Sequence, residues 1–145
     1  MAKRFFSDAE QLSIVNAIKE AERNTSGEVR VHLENKCKKN VLDRASEVFA
    51  ALNMHKTELR NGVLFYLAVE DKKFAILGDA GINSVVPSNF WDEIKSNCLE
   101  KFKAGAFTDG LVQGILTAGR QLKANFPYQS DDVNELPDDI SFSEN

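Results

Sequence analysis

This 145-residue chain has little of what would tie it to a special chemistry or environment. Its two cysteines, Cys37 and Cys98, lack the close spacing of a zinc or redox motif, so neither a disulfide scaffold nor a structural zinc site is expected. The only histidines, His32 and His55, have no neighbouring metal-type partner in sequence; both are expected on the surface. No apolar run reaches the length that spans a bilayer, and Met1 to Asp8 contains bases but no apolar segment of signal length. The expectation is a cytoplasmic protein with reduced thiols and no membrane insertion. Phosphate-binding loops, dinucleotide fingerprints, the G-x-S-x-G elbow and the kinase motif set are all missing.

Basic stripes with interleaved aromatics are also lacking, which argues against nucleic acid as a partner. The net charge of −4 is unevenly spread. Asp131, Asp132, Glu135, Asp138, Asp139 and Glu144 crowd a final stretch that has no base, and the preceding body is slightly basic. Residues 1–128 are therefore read as one domain and 129–145 as an acidic tail, which composition alone makes flexible.

What the sequence does have is a core. It is 43% hydrophobic with ten phenylalanines, enough for a domain of this length to fold without staples. Val63 to Val69 is apolar without a break, as in a strand covered on both faces. A short charged turn leads to a second run, Phe74 to Leu77. Runs joined so closely must pair antiparallel. Before them, Ser7-Asp8-Ala9-Glu10 is a capping box opening a helix that Thr25-Ser26-Gly27 closes. Glu28 to Glu34 alternates strictly, predicting a strand towards a sheet edge, with Val29, Val31 and Leu33 inward and Glu28, Arg30, His32 and Glu34 facing solvent. A helix over Val41 to Met54 would return the chain, making the strands from Glu28 and Gly62 parallel. Two further helices follow, one opened by Pro87-Ser88 and carrying Trp91 and Cys98 inward, the other starting near Thr108-Asp109. Gly110, Gly114 and Gly119 in the last helix cost helix propensity and predict close backbone approach to a neighbour. The order helix, strand, helix, strand, strand, helix, helix defines an α/β (α+β) domain, a mixed sheet of three to four strands sandwiched by helices.

This topology sorts the strand ends. Glu28 and Asn61 start their strands at the rim where Asp79 finishes the third, and Asp109 is free to join them. Asp79-x-Gly81-x-Asn83 has the alternating oxygen spacing of a tight calcium loop but lacks the distal Glu of an EF-hand. The competing reading is that these acids are simply solvated, with Asp109 favoured by the helix dipole and Asn61-Gly62 serving as turn chemistry. Cys37 lies among lysines that could lower a thiol pKa, but no base is placed beside it.

Several segments together resemble the TPM domain, in order and over nearly the whole chain. They are Ser26 to Val31, Met54-His55-Lys56-Thr57 leading into Arg60 to Leu64, Phe74-Ala75-Ile76 with Gly78-Asp79-x-Gly81-Ile82, and Trp91. Phe102-x-x-Gly105-x-Phe107-x-x-Gly110, Phe126-Pro127 and Asn134-Glu135-Leu136-Pro137 complete the match. The resemblance implies an acidic calcium site at one sheet edge; magnesium is the alternative ion. Carried onto this sequence, its ligands are Glu28, Asp79 and Asp109, with Asn61 and Asn83. It also implies that part of the tail docks on the body. The family includes a thylakoid lumenal member described as an acid phosphatase linked to photosystem repair. Membrane-anchored members are known too, but this sequence looks like a short soluble bacterial form. Three functions follow as expectations: a non-enzymatic calcium-binding module with a protein partner, a metal-dependent acid phosphatase using the same site, and a structural domain with no small-molecule site. A phosphatase would also need a cation to hold phosphate; Arg30 and Arg60 are the candidates.

Overall fold

The computed structural model describes residues 2–127 and 139–143. The chain runs through α1 (Ala2–Phe5), α2 (Asp8–Glu22), β1 (Glu28–Glu34), α3 (Val41–Ala51), a 3-10 turn (Met54–Lys56), β2 (Gly62–Ala68) and β3 (Lys73–Gly78). It continues through α4 (Ala80–Asn83), α5 (Phe90–Lys103), α6 (Phe107–Asn125) and β4 (Ser141–Phe142). The expected capping box forms, with Ser7 accepting from the Glu10 amide and Glu10 accepting from that of Ser7.

One mixed sheet of order β3-β2-β1-β4 organises the domain. β1 and β2 are parallel, with Glu28 opposite Gly62, and β2 and β3 are antiparallel, with Val63 opposite Gly78. Alternation along the strands divides the core in two. Val29, Val31, Leu33, Val63, Phe65 and Leu67 pack with α2, α5 and α6, whereas Leu64, Tyr66 and Ala68 pack with α3. Both faces of β2 are thus covered, which is why its sequence reads as an unbroken apolar run. In α6, Gly119 lets the helix approach α2; a Cβ there would lie 2.6 Å from the Cβ of Ala21. Gly110 and Gly114 instead face α5, where a Cβ would meet Phe102 and Cys98 at 2.8 Å, so each of the three glycines marks a close neighbour, as expected.

One expectation is overturned. β1 does not present a wet face: all seven of its residues are buried, Glu28, Arg30, His32 and Glu34 among them. The C-terminal β4 adds to the outer side of β1 and makes it an interior strand. Its polar side chains find protein partners in place of water. Residue 128 and, of the tail, 129–138 and 144–145 lie outside the described residues, and with them the Asn134–Pro137 segment expected to dock.

Candidate functional site

The N-terminal ends of β1 and β2 and the C-terminal end of β3 meet at one rim. The Glu28 amide donates to the Asn61 carbonyl at 3.4 Å, and the Asp79 amide to the Gly62 carbonyl at 3.0 Å. Glu28, Asn61 and Asp79, far apart in sequence, therefore stand on successive strands around Gly62. All three are buried, at 2%, 0% and 8% exposure.

Their partners differ. Asp79 caps α4 by accepting from the Ala80 amide and receives a two-pronged ion pair from Arg60, at 2.6 and 2.7 Å. The Arg60 side chain is half exposed, so its end of the pair is open to water. Gly81 seats this loop: its amide donates to the Arg60 carbonyl at 2.7 Å, and a Cβ would collide with the Leu59 and Arg60 carbonyl oxygens. The Asn61 amide group donates weakly to Ser26 Oγ at 3.4 Å. Asn61 Oδ1 and, nearby in the same loop, Thr57 Oγ1 are buried with no hydrogen-bond partner among the described residues. A buried acceptor left without a donor is costly, by about 1–3 kcal/mol, and such atoms call for an occupant.

The other two expected ligands are elsewhere. Asn83 is in α4, where its Oδ1 accepts from Trp91 Nε1 at 2.7 Å and its Nδ2 donates to the Gly78 carbonyl, so the amide is consumed in a structural bridge. Asp109 is exposed in the first turn of α6. The C-terminal end of α6 is the part at the rim, with Leu122 against Gly27 and the Ser26 amide donating to the Phe126 carbonyl at 2.9 Å. Asp109 lies thirteen residues before Leu122, about 20 Å along the helix, near the Phe74–Phe102–Phe107 aromatic stack at the far end of the sheet. No group of three or more His, Cys, Asp or Glu side chains among the described residues is arranged to hold a metal ion. What the rim offers is two carboxylates with an amide and a hydroxyl oxygen. All are hard donors of the kind calcium or magnesium takes, and Asn61 Oδ1 is the atom whose state fits such an ion.

A second polar constellation lies on the α3 side of β1, and sequence reasoning missed it. Glu34, fully buried, accepts from Arg44 Nε at 3.0 and 3.2 Å and from Arg44 Nη2, from the Tyr66 hydroxyl, and faces His32 Nε2 at 3.2 Å. Burial works to raise the Glu34 pKa, but the hydrogen bonds from Arg44, Tyr66 and His32 outweigh it and hold the carboxyl at about 2. Burial pushes the Tyr66 hydroxyl upward, helped by Glu34. His32 is lowered by burial, against the pull of Glu34, and is stacked 6.0 Å from the Tyr66 ring. Nothing in the local alternation of β1 separates such a network from a solvated face.

The remaining expectations sort simply. Cys98 is buried against α6, its thiol pushed up to about 12 by burial. Cys37 is buried beside a cavity of about 490 Å³ lined by Lys36, Lys38, Lys39, Arg44 and Glu47, and its sulfur donates to the Lys39 carbonyl. His55 is exposed as expected. Arg30 donates to the Asp139 carbonyl and is buried, so it is not at the rim surface. Among the described residues, no helix is long and apolar enough to cross a membrane.

A mixed sheet between helices, with oxygen donors gathered where three strands end, defines an α+β domain with a candidate cation rim. The chain belongs to the TPM domain family, whose model matches residues 2–121. It is similar to the BA42 protein of the psychrophilic bacterium Bizionia argentinensis, with 50% identity, 97% of each chain covered and a TM-score of 0.89. The N-terminal domain of a P. gingivalis protein shares 15% identity over 87% of this chain and 83% of its own, at a TM-score of 0.71. The N-terminal domain of the cg2496 protein of Corynebacterium glutamicum shares 11% over 90% and 82%, at 0.67. These two show the fold alone. No curated protein matches the chain.

Proposed function

We propose that this domain is a divalent-cation-binding module, with calcium the preferred ion and magnesium the substitute. The ion would sit at the rim of Glu28, Asn61 and Asp79 with Thr57. The observation that carries this reading is Asn61 Oδ1, a fully buried acceptor without a donor among the described residues, at the rim where the strand ends bring Glu28 and Asp79. A bound cation supplies positive charge that satisfies this oxygen and ties three strand ends together. Arg60 holds Asp79 in the ion's absence and competes with it for that carboxylate. We read the module as non-enzymatic, acting through a protein partner. A reducing, cytoplasmic setting suits its two free, buried thiols.

Calorimetric titration with calcium tests this. Saturable binding is expected in the wild type, weakened at least tenfold, about 1.4 kcal/mol, in Glu28→Gln and Asn61→Ala, and unchanged in Asp109→Asn. A flat wild-type titration would remove the proposal and leave a structural domain.

One observation favours a second reading. The half-exposed Arg60 guanidinium beside Asp79 could receive a phosphoryl group, as a metal-dependent acid phosphatase requires. Turnover of an aryl phosphate that disappears in Asp79→Ala would establish it in place of the binding role.

A further inference from the structure

The segment Asp139–Ser143 lies along the outer side of β1 as an extended peptide lies on a recognition edge. Ser141 and Phe142 pair in parallel with His32 and Leu33, and the Ser143 amide donates to the Leu33 carbonyl at 2.9 Å. Its side chains alternate with period two. Ile140, 9% exposed, and Phe142 enter the apolar cluster shared with Val31 and Leu33. Ser141 and Ser143 turn the other way, their hydroxyls 2.8 Å from His32 Nδ1 and 3.1 Å from His32 Nε2. Upstream, Arg30 donates to the Asp139 carbonyl at 3.2 Å. Main-chain pairing gives such an edge its affinity, and the pockets for alternate side chains give its specificity.

We propose that the outer edge of β1 is a docking groove for an extended partner strand of alternating apolar and hydroxyl residues, and that Asp139–Ser143 is its exchangeable occupant within the chain. The ladder spans two residues of a seven-residue strand, so the intramolecular contact is short. A tethered segment benefits from an effective concentration on the order of mM, enough to keep a weak ligand in place. On the same outer edge the Val29 amide donates to Glu22 Oε2 at 2.8 Å, so a partner strand longer than the resident one extends the ladder there by displacing that carboxylate. Arg30 receives its main-chain carbonyl, His32 reads two hydroxyls, and the apolar cluster takes two aliphatic or aromatic side chains. The groove is separate from the rim of Glu28, Asn61 and Asp79, and the proposal does not depend on cation binding.

The test uses the full chain with Ile140→Asp and Phe142→Asp together, which removes both anchors of the resident segment. The probe is a fluorescent peptide of residues 138–145. It should bind this variant saturably and the wild type about tenfold more weakly or less, and a probe with the Phe142 equivalent changed to Asp should not bind. Failure of the probe to bind a variant with native circular dichroism would overturn the proposal. Amide exchange on the wild type gives a readout independent of the variant. The Ser143 amide should exchange at least tenfold faster than the amides of the β1–β2 ladder, by local opening. Exchange of Ser143 only with global unfolding would contradict it. Concentration-dependent dimerisation of the wild type that blocks the probe would assign the groove to a second copy and overturn the partner reading.

Discussion

Glu34 has no exposed surface, yet it remains ionised far into acid because Arg44 and Tyr66 donate to it. A carboxylate whose folded pKa is depressed contributes stability above its unfolded value and loses it as pH falls. For Glu34 that contribution is complete above about 4.5 and disappears on approach to about 2. Glu34→Gln should cost about 3 kcal/mol at neutral pH, at the lower end for a broken buried pair because Arg44 keeps some access to water. Urea denaturation at neutral pH and again near pH 3 checks this, and the variant's deficit should shrink in acid. His32, also lowered by burial, acts at a higher pH: its contribution is complete above 6.5 and falls as pH drops below that value. The titratable and charged groups around it are Glu34 and Arg30 on its own strand, Tyr66 on β2 and Arg44 on α3. The stability loss between about pH 7 and 5 should diminish in His32→Gln, measured by the same denaturation series. At the rim, Arg60→Ala should strengthen calcium binding in calorimetry by releasing Asp79 from its ion pair; unchanged affinity would mean that Asp79 takes no part.

Among the elements, the glycines give the sharpest tests. Gly119→Ala would force the α2–α6 contact apart, because the new methyl group meets Ala21. A loss of about 1–3 kcal/mol is expected from thermal or urea unfolding, as for overpacked cores. Gly81→Ala would separate the α4 loop from Leu59 and Arg60 and displace Asp79 with it. It should lower both stability and cation affinity, whereas Gly119→Ala should lower stability alone. At this scale the sequence was informative where signals are local. The capping box of α2, the β2–β3 hairpin and the starts of α5 and α6 all follow from periodicity and turn residues. The four-residue α4 was hidden because Gly78 to Asn83 reads as a glycine-rich turn, and Asp79 serves there as its cap. β4 was hidden because a two-residue strand has no pattern of its own and pairs more than one hundred positions away.

Across the whole molecule, legibility follows the range of the interactions. Strand directions were recoverable from connection lengths, and with them the convergence of Glu28, Asn61 and Asp79 on one rim. Asp109 stands away from the rim, which its sequence position does not reveal, because the start of a helix can lie at either end of a sheet and α6 is oriented by distant contacts, Gly27 on Leu122 and the Ser26 amide on the Phe126 carbonyl. The polar face of β1 looks wet in sequence because its partners, Arg44, Tyr66, Ser141 and Ser143, come from three other elements and the segment after β4. The same long-range contacts make the domain a closed unit, with one polar network held inside and one set of oxygen donors gathered at the rim.

The most direct measurement of the central claim is an amide NMR titration of the wild-type chain with calcium. Saturable shifts at Glu28, Thr57 to Gly62 and Asp79 to Gly81, with Asp109 unmoved, are the expected result. Shifts centred on Asp109 or on the acidic tail, with the Asn61 amide unchanged, would contradict it.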